Sequence, residues 1–222
     1  MPRLRELAAI ALVAGTPSID RHLNQSGDIA DVDGHFYAAK SPGLAFLSVP
    51  AYLAFDAVGA VPATYVTGQG PPGARQVSER AIWQVNLVVV AAFLGLLLLI
   101  RWAAERVVPG TGLAVALLLG LGTMLLPFAT AYFSHDVSAF LGFAAFALLL
   151  RERRTPSLRL VAGAGLLAGL AVFAELPTAI VGICVGVYAI VAPFRPQRAL
   201  AYGAGFLVGL LPLAAYNTWA FG

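Results

Sequence analysis

Gly43–Pro62 reads GLAFLSVPAYLAFDAVGAVP, and whether this run crosses a membrane decides the fold of the chain. It has the roughly 20 residues a span needs, yet Pro50 breaks it and Asp56 charges it. The arginines choose between the two courses, because Arg and Lys collect in cytoplasmic loops. Four basic groups stand along the chain: Arg3/Arg5, Arg101/Arg106, Arg151/Arg153/Arg154/Arg159 and Arg195/Arg198. They fall on one side only if Gly43–Pro62 does not cross. The run is therefore expected to be an amphipathic juxtamembrane helix on the outer face, its apolar side resting on the bilayer.

The rest of the chain makes lipid the expected solvent. Of 222 residues, 59% are hydrophobic and 11% charged, against roughly 25% charged in an ordinary soluble domain. Mean hydropathy is +0.83. A core of this size cannot hide so much apolar surface from water. Apolar runs cover Ile82–Ile100, Thr111–Phe128, Val137–Leu150, Leu160–Ala174, Thr178–Val191 and Leu200–Tyr216. Leu7–Gly15 is shorter and reads as the end of a first span, or as the apolar part of a signal peptide behind Arg3 and Arg5. Either reading sends the next loop outside. The expected fold is an all-α polytopic membrane protein of about six or seven transmembrane helices. It forms one membrane domain over 1–222, with an outer loop at 16–42, the interfacial helix at 43–62 and a helical bundle at 82–218. Ala63–Arg80, rich in Gly and Pro, reads as an irregular outer loop. Gly165/Gly169, Gly182/Gly186 and Gly205/Gly209 are small-xxx-small pairs for close helix packing. Cys184, the only cysteine, is expected to pack in its apolar run.

This topology divides the charges. The inside holds ten arginines against Glu6, Glu105 and Glu152, and these arginines read as topology signals. The outside holds Arg21, Lys40, Arg75 and Arg80 against eight of the eleven acids, with all three histidines. The net charge of +3 and pI near 9.3 therefore do not describe a nucleic-acid surface, because the bases sit in short loops between apolar runs. With no charge in the middle of any span, a transporter is disfavoured. Chemistry, if any, is expected outside. Ser18–Gly43 (SIDRHLNQSGDIADVDGHFYAAKSPG) is dense in polar groups, although a solvated hairpin would have the same composition. Lys40 stands at headgroup depth, where an ammonium suits a lipid phosphate. Asp31 and Asp33 form a DxD that could share a divalent cation, so a metal is left open. Tyr132-Phe133-Ser134-His135-Asp136 is a second outer cluster. Asp136 there reads equally as a functional group at the mouth of a span or as a helix N-cap. Glu175 is a weaker candidate of the same kind.

These residues resemble the N-terminal half of the GT-C integral-membrane glycosyltransferases, in the protein-O-mannosyltransferase and aminoarabinose-transferase group. Ser18-Ile19-Asp20-Arg21 stands at that group's acidic motif and Gly27-Asp28 at its "GD". Gly34-His35-Phe36-Tyr37-Ala38-Ala39-Lys40-Ser41-Pro42-Gly43 stands at its "G…Y…K-P-P" stretch. Ser134-His135-Asp136 matches a Ser-x-Asp-like turn, and Gly165–Pro177 (GLLAGLAVFAELP) matches "GLAxGLAxLTKxP". Glu175 replaces the lysine of the last motif, and Arg21 follows Asp20 where the group has Glu. The resemblance implies transfer of a sugar from a polyprenyl-phosphate carrier to an acceptor hydroxyl on the outer face. Carried over, Asp20 is the general base, Lys40 a ligand of the carrier phosphate, and Asp136 orders the site. Arg21, Arg80, His35, Tyr37 and His135 are further candidates for binding substrate or carrier. The implied partners are the polyprenyl-phosphate-linked sugar, the bilayer and further membrane subunits. The Arg-rich, Lys-poor, Ala-rich composition points to a bacterial source, so the expected location is a bacterial cytoplasmic (inner) membrane, with the N-terminus inside by the placement of the arginines. The other reading is a truncated, non-catalytic subunit or scaffold, because the chain is about half the family's length and stops at an aromatic end, Tyr216–Gly222.

Overall fold

The computed structural model describes residues 11–12, 15–20, 29–59, 65–66, 75–76, 79–191 and 195–222, without the side chains of 65–66, 75–76, 79–83 and 85. Most of Leu7–Gly15, together with Arg21, His22, Gly27 and Asp28, lies outside the described residues, and of Arg80 only the backbone lies within them. The described chain is mostly helical. A hairpin of β1 (Ile29–Val32) and β2 (His35–Ala38) comes first, then α1 (Gly43–Ala57). The expected irregular loop contains a second short antiparallel pair, β3 (Tyr65–Val66) and β4 (Arg75–Gln76). Seven helices follow: α2 (Glu79–Val107), α3 (Gly112–Gly122), α4 (Leu125–Thr130), α5 (His135–Glu152), α6 (Leu158–Ala174), α7 (Ala179–Val191) and α8 (Pro196–Phe221).

Most apolar runs become helices longer than themselves, because a helix continues through polar flanks until its backbone finds caps or a breaker. At the end of α2, Glu105 accepts the N–H groups of Gly110 at 2.7 Å and Gly112 at 2.9 Å. Gly110 stands at φ 88°, so the turn needs its glycine. Thr111–Phe128 behaves differently. It parts into α3 and α4 at Thr123, whose backbone is extended and whose hydroxyl donates to the Leu119 carbonyl at 2.6 Å.

Among the described residues, two helices are long and apolar enough to cross a membrane, Asn86–Val107 within α2 and Pro196–Phe221, while α1, α3, α6 and Leu176–Val191 are shorter apolar helices. Small residues fill the interior. Ala145, Ala164, Ala168 and Ala189 are buried with Leu149, Val161, Val185 and Tyr202 where α5, α6, α7 and α8 meet. Large apolar side chains point outward, among them Leu94, Leu98, Leu118, Leu121, Ile180, Ile183, Leu207 and Leu211. Cys184 is exposed on that outward side of α7, not packed as expected.

The glycine pairs do place backbones together. A Cβ on Gly165, Gly169, Gly205 or Gly209 would come within 3.0 Å of backbone atoms of the facing helix, α8 for the first two and α6 for the others. Gly182 and Gly186 make room for the rings of Phe206 and Tyr202, and Tyr202 donates its hydroxyl to the Gly182 carbonyl at 2.6 Å.

α1 is anchored through its first two turns, where Gly43, Leu44, Ala45 and Ser48 are buried. Gly43 meets the backbone of Phe173 and Ala174 so closely that a Cβ has no space. Pro50 lies inside the helix without ending it. Leu47, Leu53 and Asp56 are exposed, so the outward side of α1 carries both apolar residues and its one charge.

Candidate functional site

One end of the bundle gathers the start of α1, the end of α6, the start of α5 and the end of α8. Phe46 of α1 packs against Phe173 of α6 at 5.7 Å and Tyr216 of α8 at 5.9 Å between ring centroids. The β1–β2 hairpin docks here. Its turn is Asp33-Gly34, with φ 53° and 80° and Val32 opposite His35, the left-handed pair that a two-residue hairpin turn requires. Asp31 accepts the Gly34 N–H at 3.1 Å, so one carboxylate of the DxD stabilises the turn. Among the described residues no group of three or more His, Cys, Asp or Glu is placed to hold a metal ion.

Asp20 is tied to this hairpin on both oxygens. Oδ1 accepts the Phe36 N–H at 2.7 Å and Oδ2 lies 2.9 Å from His35 Nδ1. Ile19, buried beside it, donates its N–H to the Phe36 carbonyl at 2.7 Å. Partial burial pushes the Asp20 carboxyl up, but the bonds from Phe36, His35 and Ser18 and the charge of His35 outweigh it and hold the group below its ordinary value. A carboxylate held ionised in this way is a weaker base. His35 remains largely exposed, at 63%.

Tyr37 belongs to the framework. It is buried, donates its hydroxyl to the Ala220 carbonyl at 3.2 Å, and packs on Phe221 at 4.9 Å. Lys40 is exposed and lines, with Pro17 and Tyr216, a cleft of about 10 Å³, room for no more than about one water. Next to it, Ser41 Oγ accepts the Leu176 N–H at 3.2 Å. That bond joins the end of the outer loop to the α6–α7 turn.

The second cluster sits on the same turn. His135 Nδ1 lies 2.7 and 2.8 Å from the two carboxylate oxygens of Glu175. Ser138 Oγ lies 3.0 Å from both Glu175 Oε2 and the His135 carbonyl, and donates to one at a time. The His135 ring stacks on Phe133 at 5.6 Å. These groups head an apolar groove of about 590 Å³ that continues past Phe143, Phe146 and Val181 between α5 and α7. Glu175 was the weaker candidate in the sequence. The signal was its charge reversal within the glycine-rich motif, which becomes intelligible once His135 stands opposite.

Asp136 does not cap. Ser134 is the N-cap residue of α5 and makes no side-chain cap bond. The Asp136 side chain is fully buried and neither of its oxygens has a hydrogen-bond partner among the described residues. Its surroundings push the carboxyl up to about 6 by desolvation, against the pull of His135. Nearby Tyr132 stands at φ 52°, a backbone strain of about 1–3 kcal/mol, with its ring buried and its hydroxyl 2.6 Å from Ser48 Oγ.

The structure thus ties Asp20 to His35, and His135 to Glu175, and links the two neighbourhoods through Ser41. Neither the Lys40 cleft nor the apolar groove is lined by both clusters. Comparison with protein-family models, with curated proteins and with solved structures found no match.

Proposed function

We propose that this chain is a polytopic membrane protein of the GT-C kind that transfers a sugar from a polyprenyl-phosphate carrier to an acceptor hydroxyl on the outer face. The observation that carries the reading is the Asp20–His35 pair, held on a hairpin whose exit, Lys40-Ser41, is stitched to the α6–α7 turn. The outward large apolar residues support a lipid surround, since soluble monomers rarely expose apolar patches so broad. About six or seven spans, with the arginine-rich ends inside, fit the helices and the distribution of charge.

In this mechanism Asp20 fixes the His35 ring through Nδ1, and Nε2 takes the proton of the acceptor hydroxyl as its oxygen attacks the anomeric carbon. The bond from that carbon to the carrier phosphate breaks, and the phosphate leaves with the electron pair. Lys40 balances its charge. The groove below His135 and Glu175 suits an apolar carrier chain.

The test is sugar transfer by purified protein in lipid, offered polyprenyl-phosphate-linked sugars. Asp20→Asn and His35→Gln are expected to lower kcat about 100-fold or more, and Lys40→Ala to raise KM for the carrier. Turnover that survives both Asp20→Asn and His35→Gln would sink this assignment. The scaffold reading draws on Tyr37 and Ser41, whose bonds fasten the hairpin to the bundle; a folded parent with no turnover on any carrier would favour it.

A further inference from the structure

At the opposite end of the bundle, a cavity of about 290 Å³ opens between the end of α5 and the starts of α6 and α8, where Glu152, Arg153, Ser157, Arg195, Gln197 and Arg198 line it together with the apolar Pro156 and Leu158. The glycine seam sets this arrangement. Gly165 faces Tyr202 and Gly169 faces Phe206, so α6 and α8 run parallel and in step, and their N-termini come level. Neither N-cap residue, Ser157 or Arg195, makes a side-chain bond to its first turn. The positive ends of two long helices therefore border one cavity. The Leu160 and Arg198 N–H groups already donate to the Ser157 and Arg195 carbonyls and Pro196 has no N–H, which leaves the N–H groups of Leu158, Arg159 and Gln197 in the first turns.

The second observation is Arg198. Its side chain is 8% exposed. Nε donates to the Ala189 carbonyl at 2.8 Å and Nη1 donates to Glu152 Oε1. Nη2 is buried with no partner among the described residues, and so is Glu152 Oε2. A buried guanidinium N–H and a buried carboxylate oxygen left unmatched are costly unless something supplies an acceptor to one and a donor to the other. Glu152 already has Arg198 as counter-charge, and Arg153 and Arg195 add two more positive charges to the lining.

The geometry points to a binding site for a phosphate group that carries an O–H of its own. Its anionic oxygens would accept from Arg198 Nη2, Arg195 and the helix N-termini. Its hydroxyl would donate to Glu152 Oε2. Two sources have that chemistry: a protonated phosphate or phosphomonoester, and a phosphodiester lipid with a hydroxylated headgroup such as phosphatidylglycerol. The volume suits a headgroup or a small phosphate and lies just below the usual range for larger ligands. The inference goes beyond the proposed transferase and does not depend on it.

The experiment uses the full chain purified in neutral detergent. Inorganic phosphate and sulfate are titrated against thermal unfolding, and retention of phosphatidylglycerol is compared with phosphatidylcholine by native mass spectrometry. Phosphate is expected to bind about tenfold tighter than sulfate, which lacks the O–H near neutral pH. Phosphatidylglycerol is expected to be retained about tenfold over phosphatidylcholine if the source is a lipid. Arg195→Gln, at an exposed position, is expected to weaken whichever ligand binds about tenfold without changing melting in its absence. Glu152→Gln is expected to erase the phosphate-over-sulfate preference. Lipid retention without phosphate binding assigns the site to a headgroup, and the reverse assigns it to a free phosphate. Binding of neither, or binding unchanged in Arg195→Gln, overturns the inference and leaves a solvated ion pair.

Discussion

Asp136 is the residue whose chemistry departs furthest from its sequence environment. In the unfolded chain its carboxyl titrates near the ordinary value of 3.8, and in the folded chain near 6. Between those values the folded state binds more protons, so stability falls as pH rises through the window from about 4 to 6. Above it the full penalty of an ionised, unpartnered carboxylate is present. Asp136→Asn is therefore expected to raise Tm by roughly 5 °C at pH 7.5, and the gain should vanish toward pH 4. A variant less stable than the parent at pH 7.5 would mean that the ionised group has a partner. At this scale the sequence was legible in residue type and illegible in pairing. Asp20, His35, His135 and Asp136 all stood out. That Asp20 takes His35, and that His135 takes Glu175 40 positions away, follows from hairpin register and helix packing. No local pattern encodes either.

At the scale of elements, hydropathy located the helices well, since an apolar run that needs internal hydrogen bonds has few other options. It failed at Thr123-Met124, where α3 gives way to α4 inside a continuous apolar stretch, because a backbone break without a change of hydropathy leaves no trace in composition. The glycine seam was readable from spacing and has a sharp consequence. Gly205→Ala would push a methyl into the α6 backbone near Ala162, whereas Gly203, on the same helix, faces open space. Overpacking of this sort costs about 1–3 kcal/mol, so Gly205→Ala is expected to lower Tm by about 4 °C or more. Gly203→Ala should leave it unchanged or raise it slightly, because alanine is the better helix former. Equal responses from the two variants would show that the seam is not where α6 and α8 meet.

For the whole molecule, the proposed topology puts the hairpin end outside and the turn after α5 inside. Because Cys184 is the only cysteine and lies among exposed apolar residues, the parent should resist a membrane-impermeant maleimide until detergent is added. In a Cys184→Ser background, Ala39→Cys should label in intact cells and Arg154→Cys only after permeabilisation. Labelling of both in intact cells would overturn the topology. The two ends of the molecule are also mechanically one object. α8 begins beside Arg198 and finishes at Ala220, whose carbonyl Tyr37 grips, and its 26 residues make a rod of about 39 Å. The rod is keyed: sliding it one turn along α6 would seat one glycine in the other's notch but carry Ala201 or Leu213 into the second, where even a Cβ meets backbone. A tug on the hairpin therefore meets Pro212, where the helix lacks a hydrogen bond, before it meets the seam, and from the seam onward α6 and α8 resist sliding past each other.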